Sequence, residues 1–182
     1  MKIQSLSTLT FALLASTAFG EFAEFTDNVY KVGDKQWVGI EQLQQSSAQG
    51  DALAQYTYAW ALDEGKGINE NDARAQTLFA QSIAGLKKLA DEGNADAMAA
   101  LGDIYEEGDG IAKDKKQAVE WFSKAVEKGH AYAMYSLAEL YKDGEGVAKS
   151  ITKAKELYSA AAQKGYRKAT EELRELEHGD DD

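Results

Sequence analysis

Apolar residues recur at helical spacing through the centre of the chain. Ala97, Leu101 and Tyr105 stand four residues apart, which places them on one face of a helix. The same three residue types return 36 residues later, at positions 133, 137 and 141. The pattern therefore predicts two equivalent helices, each with one buried stripe.

A second amphipathic helix is predicted after each of these. Its apolar residues stand at i, i+3, i+4 and i+7, which is typical of a helix that buries one face. They are Ala118, Trp121, Phe122 and Ala125 in the first copy, and Ala154, Leu157, Tyr158 and Ala161 in the second. Asp114, and either Ser150 or Thr152, are the predicted N-caps of these helices.

Gly-x-Gly turns separate the two helices of each copy, at residues 108–110 and 144–146. Glycine accommodates positive φ without steric cost, so these segments are interpreted as tight loops. They do not fit a phosphate site, because acidic residues surround them and no Lys-Ser/Thr pair follows. They also lack the alternating ligands of a calcium loop. No metal site and no cofactor is predicted.

These helix pairs form an internal repeat. Glycines at 93, 129 and 165 are 36 residues apart, and residues 93–128 and 129–164 are identical at 15 of 36 aligned positions. A looser copy occupies residues 50–92, with seven additional residues near 83–89. Seven residues are almost two helical turns, so a longer second helix would keep its apolar face in place.

The ends of the array are predicted to be caps. Residues 21–49 form an N-terminal segment and capping helix, with 35–49 expected to be an isolated second helix carrying Trp37, Ile40 and Leu43. Residues 165–178 form a C-terminal capping helix, in which Glu177 replaces a core aromatic residue. Residues 179–182 form an acidic tail.

The repeated series Ala-x3-Leu-Gly-x2-Tyr-x2-Gly-x-Gly, followed by Ala-x2-Trp-Phe-x2-Ala-x3-Gly-His, resembles the SEL-1-like repeat family, which is related to tetratricopeptide repeats. The resemblance implies an all-α superhelix, or solenoid, of antiparallel helix pairs with a concave face. It also implies an adaptor that assembles protein complexes. Departures include Leu62 for the usual Tyr and Leu157 for the usual Trp.

Composition adds a location and a charge. Residues 1–20 have one early lysine, an uncharged stretch and a small-residue end at Ala18 and Gly20, which predicts a signal peptide and export. A periplasmic location is favoured, and secretion stays open.

The net charge of −11 disfavours nucleic acid as a partner. The chain contains no cysteine, and no segment after residue 20 is apolar enough to insert into a membrane.

Candidate binding residues are those on the first helices that the repeated core does not require. One stripe carries large aromatic and acidic side chains, which suit a protein or peptide partner with apolar and basic side chains. The predicted partner-binding residues are Leu53, Tyr56, Trp60, Asp103, Tyr132, Tyr135 and Glu139. Alternatively, residues 21–34 fold back and cover part of this stripe.

Three functions follow from these features. The first is an exported scaffold that binds a protein in its concave face. The second is an immunity-type protein that occludes the basic active site of a secreted toxin. The third and most remote is an enzyme acting on the cell wall, for which no nucleophile and base can be assembled and no catalytic residue is predicted. His130, just after a repeat glycine, is interpreted as a packing or capping residue.

Overall fold

The computed structural model describes residues 23–26 and 28–178. Within them the chain forms a three-stranded antiparallel sheet followed by eight helices. The elements are β1 (Ala23–Thr26), β2 (Val29–Val32), β3 (Lys35–Val38), α1 (Ile40–Ala48), α2 (Ala52–Asp63), α3 (Asp72–Asp91), α4 (Ala95–Glu107), α5 (Lys115–Glu127), α6 (Ala131–Asp143), α7 (Ile151–Gln163) and α8 (Arg167–His178).

The helices pack as three successive pairs, α2 with α3, α4 with α5, and α6 with α7. Each second helix also packs against the first helix of the next pair, and α4 contacts both α2 and α6. The predicted core stripe of α4 is buried at Ala97 and Leu101, both without exposed surface. The predicted helical-repeat solenoid is confirmed.

Local signals set the helix boundaries as the sequence predicted. Asp114 caps α5, because its carboxylate accepts hydrogen bonds from the backbone N–H groups of Lys116 and Gln117. Ser150, and not Thr152, caps α7 by accepting from the N–H of Lys153. The helix α3 has 20 residues where α5 and α7 have 13, so the additional residues of the first copy lie in a longer second helix.

The N-terminal segment departs from the prediction. Residues 35–49 are not one helix: β3 occupies Lys35–Val38, and α1 begins only at Ile40. Gly39 lies between them with a φ of 82°, which an α-helix cannot contain. Residues 29–32 alternate between outward and buried side chains, as in a strand with one face on a core.

The sheet packs one face against the first repeat. Tyr30 and Val32 on β2 have no exposed surface, and β2 contacts α2. The Tyr30 hydroxyl donates a hydrogen bond of 2.9 Å to the backbone carbonyl of Lys66, in the turn after α2. The N-terminal segment therefore does fold back over the first repeat, but as strands.

The second glycine of each Gly-x-Gly turn lies against the unit that precedes it. A Cβ atom on Gly110 would be 2.4 Å from the backbone nitrogen of Ala80 in α3, and one on Gly146 would be 2.3 Å from the Lys115 carbonyl oxygen in α5. In the first copy, a Cβ on Gly67 would meet the ring of Phe25 and the hydroxyl of Tyr30. The sheet thus occupies the place that a preceding repeat occupies elsewhere.

Several predictions fall outside the described residues. They concern the signal peptide at 1–20, the residues 21–22, the tail at 179–182 and the side chain of Glu177. None of the helices within residues 28–178 combines the length and the apolar character that a membrane span requires.

The glycine contacts predict a difference between two alanine substitutions. Gly50→Ala adds a Cβ at a φ of 86° with no atom within 4 Å, so it should lower the free energy of unfolding by only ~1–2 kcal/mol. Gly110 also has a positive φ, and a Cβ at this position would collide with the backbone of α3. Gly110→Ala should therefore lower the free energy of unfolding by about 3 kcal/mol or more. Urea denaturation followed by circular dichroism measures both; equal losses would contradict the proposed role of the Gly110 contact.

Candidate binding cleft

A cleft of about 350 Å³ opens where the first helices of the three pairs lie side by side. Its lining comes mainly from α2, α4 and α6, with contributions from β1, α3 and the start of α8. The lining residues are Ala23, Tyr56, Trp60, Asp63, Glu64, Phe79, Asp103, Glu106, Glu107, Asp109, Tyr132, Tyr135, Tyr166 and Lys168. The cleft therefore combines aromatic rings with carboxylates.

Asp103 connects the first helices of all three pairs. Its side chain projects from α4 and accepts a hydrogen bond of 2.8 Å from the Tyr56 hydroxyl on α2. Its other carboxylate oxygen accepts a short hydrogen bond from the Tyr132 hydroxyl on α6. Burial raises the pKa of Asp103 to about 8, although both tyrosine hydrogen bonds favour the charged form. The carboxyl group is therefore mostly protonated at neutral pH.

Aromatic rings surround this carboxyl group. Tyr56 is buried and packs edge-on against Phe79 of α3, with ring centroids 5.8 Å apart. Tyr166, just before α8, lies 5.1 Å from the ring of Tyr135 and 6.0 Å from that of Tyr132. These contacts hold the rings in place, so the cleft is largely preformed.

Acidic side chains give the cleft its charge. Glu106 is bound to Lys115 at 2.9 Å, and Asp109 accepts a hydrogen bond of 3.0 Å from Gln76. Burial, followed by the charges of neighbouring acids, raises the pKa of Asp63. Lys168 is the one basic residue in the described lining, against six acidic residues. Such a site attracts cations and repels anions.

The Sel1 repeat model matches residues 52–85, 95–130 and 131–166, which together make up more than half of the chain. The chain belongs to the Sel1 repeat family. Proteins built from Sel1 repeats are typically protein-interaction scaffolds. No curated protein matches the sequence significantly.

Solved Sel1 repeat structures share this architecture. A Sel1 repeat protein from Oxalobacter formigenes is 32% identical, with a TM-score of 0.50, and the match covers 75% of this chain and 97% of that one. The protective antigen c5321 of uropathogenic Escherichia coli is 28% identical, with a TM-score of 0.51 over 75% of this chain and 36% of its own. Cysteine rich protein B of Helicobacter pylori is 24% identical, with a TM-score of 0.52 over 73% and 93%, which shows the fold alone.

The structure brings five of the seven predicted binding residues together in the cleft. These are Tyr56, Trp60, Asp103, Tyr132 and Tyr135. They occupy the same stripe of the first helix in the three Sel1 repeats, so equivalent positions converge when the repeats stack. Helical spacing combined with the 36-residue period was sufficient to find them.

Leu53 and Glu139 lie elsewhere. Leu53 is only 1% exposed and belongs to the buried cluster that includes Ala23, Tyr30 and Val32, so the prediction that it is accessible is wrong. It lies on α2, which packs against α1 and α3 as well as β2. Glu139 does not line the cleft; it binds Lys142 at 2.8 Å and accepts a short hydrogen bond from Tyr158, which ties α6 to α7.

Other cleft residues were missed because they lie outside the first-helix stripe. Phe79 belongs to a second helix, Tyr166 and Lys168 to the C-terminal cap, and Ala23 to a strand that was not predicted. Asp63, Glu64, Glu106, Glu107 and Asp109 lie at or beyond the ends of their helices. Their acidic character was visible in the sequence, but their shared location depends on how the repeats stack.

His130 acts as the cap that the sequence predicted. Its Nδ1 atom accepts a hydrogen bond of 3.2 Å from the N–H of Ala133, in the first turn of α6. Its Nε2 atom lies 3.2 Å from a carboxylate oxygen of Asp96 on α4, which links two repeats. Among the described residues, no group of three or more His, Cys, Asp or Glu side chains is placed to hold a metal ion.

The raised pKa of Asp103 predicts how stability depends on pH. The folded chain retains a proton that the unfolded chain has released, so this group's contribution to stability falls as pH rises from about 4 to about 8. Asp103→Asn keeps the size of the side chain and removes the titration. At each pH, the melting temperature of the variant is compared with that of the wild type. The variant should gain about 3 °C or more on the wild type between pH 4.5 and pH 8.5, which corresponds to ~1 kcal/mol in the free energy of unfolding.

The control for this measurement is Asp91→Asn, which changes an exposed residue at the end of α3. Its melting temperature relative to wild type should stay constant between the two pH values, to within about 1 °C. If the Asp103→Asn difference is also constant, Asp103 is charged in the folded chain and the cleft is more hydrated than the structure indicates.

Proposed function

We propose that this Sel1 repeat protein is an exported scaffold whose cleft binds a segment of a partner protein that carries both basic and apolar side chains. The family supports the interaction class, since Sel1 repeat proteins are typically protein-interaction scaffolds. The cleft supports the choice of surface and the chemistry of the partner. The signal-peptide pattern of residues 1–20 supports export.

The observation that carries the proposal is the convergence of aromatic and acidic side chains from all three repeats. Trp60, Asp103 and Tyr135 come from three different first helices and line one cleft. The Sel1 repeat does not require these residues, because the equivalent positions differ between copies. Tyrosine and tryptophan provide large contact areas at low entropic cost, and carboxylates select basic partners.

The dimensions of the cleft favour a peptide segment over a folded domain. A volume of about 350 Å³ is at the small end of the range for ligand pockets, so it accommodates one or two side chains. The flanking surface of the repeats is available for the rest of a partner, which fits a scaffold that recognises an exposed loop or terminus.

Substitutions in the cleft should weaken peptide binding. A random peptide display library selected on the wild-type chain should yield peptides rich in basic and aromatic or aliphatic residues. Trp60→Ala and Tyr135→Ala should each lower the affinity for the selected peptides by about tenfold or more, as expected when an aromatic anchor is removed. Isothermal titration calorimetry measures the affinities, and circular dichroism checks the fold of each variant.

Matched controls exist for both substitutions. Trp121 on α5 and Tyr141 on α6 are similarly half-buried but lie outside the cleft, where they contact Lys124 and Lys153 respectively. Trp121→Ala and Tyr141→Ala should change the peptide affinities by less than about twofold. Selected peptides that tolerate both cleft substitutions would contradict the proposed binding surface.

Export is tested separately. When the full sequence is expressed in a Gram-negative bacterium, the periplasmic fraction should contain a chain that begins at Glu21. Intact-mass spectrometry distinguishes this chain from one that retains residues 1–20. A full-length chain confined to the cytosol would contradict export and leave the binding proposal standing.

A further inference from the structure

The carboxyl group of Asp103 is held without a cationic partner in the described part of the chain. It accepts hydrogen bonds from the hydroxyls of Tyr56 and Tyr132, and neither hydroxyl carries a charge. The nearby Lys115 is engaged by Glu106 at 2.9 Å and by Glu145 at 2.8 Å. Ionising a carboxyl group that is removed from water is costly unless a cation compensates the new charge. A cation that enters the cleft would supply that compensation.

The walls of the cleft suit the same kind of group. Trp60 and Tyr135 are half-buried side chains that line it together with Asp103. Aromatic faces attract ammonium and guanidinium groups, and they also pack against the methylene stem of a lysine or arginine side chain. The lining thus matches both the charged and the apolar parts of such a side chain.

The negative charge of the cleft lining excludes an anionic side chain as the ligand. Besides Asp103, five carboxyl groups line the described cleft together with one lysine, so an anionic side chain would be repelled. Asp63, Glu64 and Glu107 lie in the lining beyond Asp103 and extend the negative potential. A cation approaching from solvent would therefore be attracted before it reaches Asp103.

We infer that the cleft takes one lysine or arginine side chain of the partner, with its charged end at Asp103 and its stem along Trp60 and Tyr135. This inference rests on the proposed function and specifies the chemistry of the residue that is recognised. Arginine fits best, because its planar guanidinium can contact a carboxylate and stack on aromatic rings.

Binding of such a side chain should depend on pH. Asp103 has a pKa of about 8 and must release its proton to solvent to pair with a cation. The charged and titratable groups around it are Tyr56 on α2, Tyr132 on α6, Glu106 and Glu107 on α4, Lys115 on α5, Asp63, Glu64 and Asp109 at the cleft rim, Tyr135 on α6, and Tyr166 and Lys168 at α8. The affinity should increase with pH as Asp103 ionises.

The test uses two small probes of nearly the same shape, one cationic and one neutral. N-acetyl-arginine methylamide is cationic, and N-acetyl-citrulline methylamide has nearly the same shape and is neutral. Titration of the full chain, monitored by amide chemical shifts in nuclear magnetic resonance spectra, should give a millimolar Kd for the arginine probe. The shifts should be centred on residues 56, 103 and 132, and the citrulline probe should bind about tenfold more weakly or not at all.

The variants and the pH series complete the test. Asp103→Asn should lower the affinity for the arginine probe about tenfold, and Asp91→Asn should leave that affinity unchanged. The affinity of the wild-type chain should rise by about tenfold or more between pH 6.5 and 9, and that of Asp103→Asn should remain flat. Equal binding of the two probes, or an unchanged affinity in Asp103→Asn, would overturn the inference. The Trp60→Ala and Tyr135→Ala results with selected peptides would still judge the proposed function independently.

Discussion

The contact between each Gly-x-Gly turn and the preceding unit determines how the repeats stack. Gly110 and Gly146 have positive φ, and each lies so close to the backbone of the preceding second helix that a Cβ could not be accommodated. A helix pair cannot bury its own apolar face, so it depends on this close approach to the next pair. The approach brings the first helices side by side, and the cleft exists because they are side by side.

The cleft forms from the positions at which the repeats differ. Trp60, Asp103 and Glu139 are equivalent in the three copies, and they have different surroundings and different partners. The repeated residues provide a regular frame, whose alanine and leucine stripe is almost fully buried. The repeated alanine and leucine residues are enough to pack the helices together. The positions that vary between copies can therefore carry the side chains of a binding site. Asp103 shows the consequence most clearly, since it joins three helices and is held in a form that burial makes mostly neutral at physiological pH.

The sequence predicted the regular part of this structure well, because its signals are local. Periodicity placed the helix pairs, glycine and cap residues placed their ends, and the repeat period brought Tyr56, Trp60 and Tyr135 onto one surface. The failures concern interactions between distant segments. Leu53 has the same helical position as Tyr132, but it is buried, on a helix that packs against α1, α3 and the N-terminal sheet. Glu139 has the same helical position as Asp103, but it binds Lys142 and Tyr158 and does not line the cleft.

The N-terminal sheet makes the first end of the array different from a repeat. A solenoid made of identical repeats would present the same groove at every junction, and its first unit would expose an apolar face. Here β2 covers α2, and Phe25 and Tyr30 rest on Gly67 as a preceding helix would. The same sheet brings Ala23 into the cleft lining, and the C-terminal cap contributes Tyr166 and Lys168. The two caps therefore do more than protect the ends of the array: with only three repeats between them, they help to confine the cleft to a size that suits a side chain.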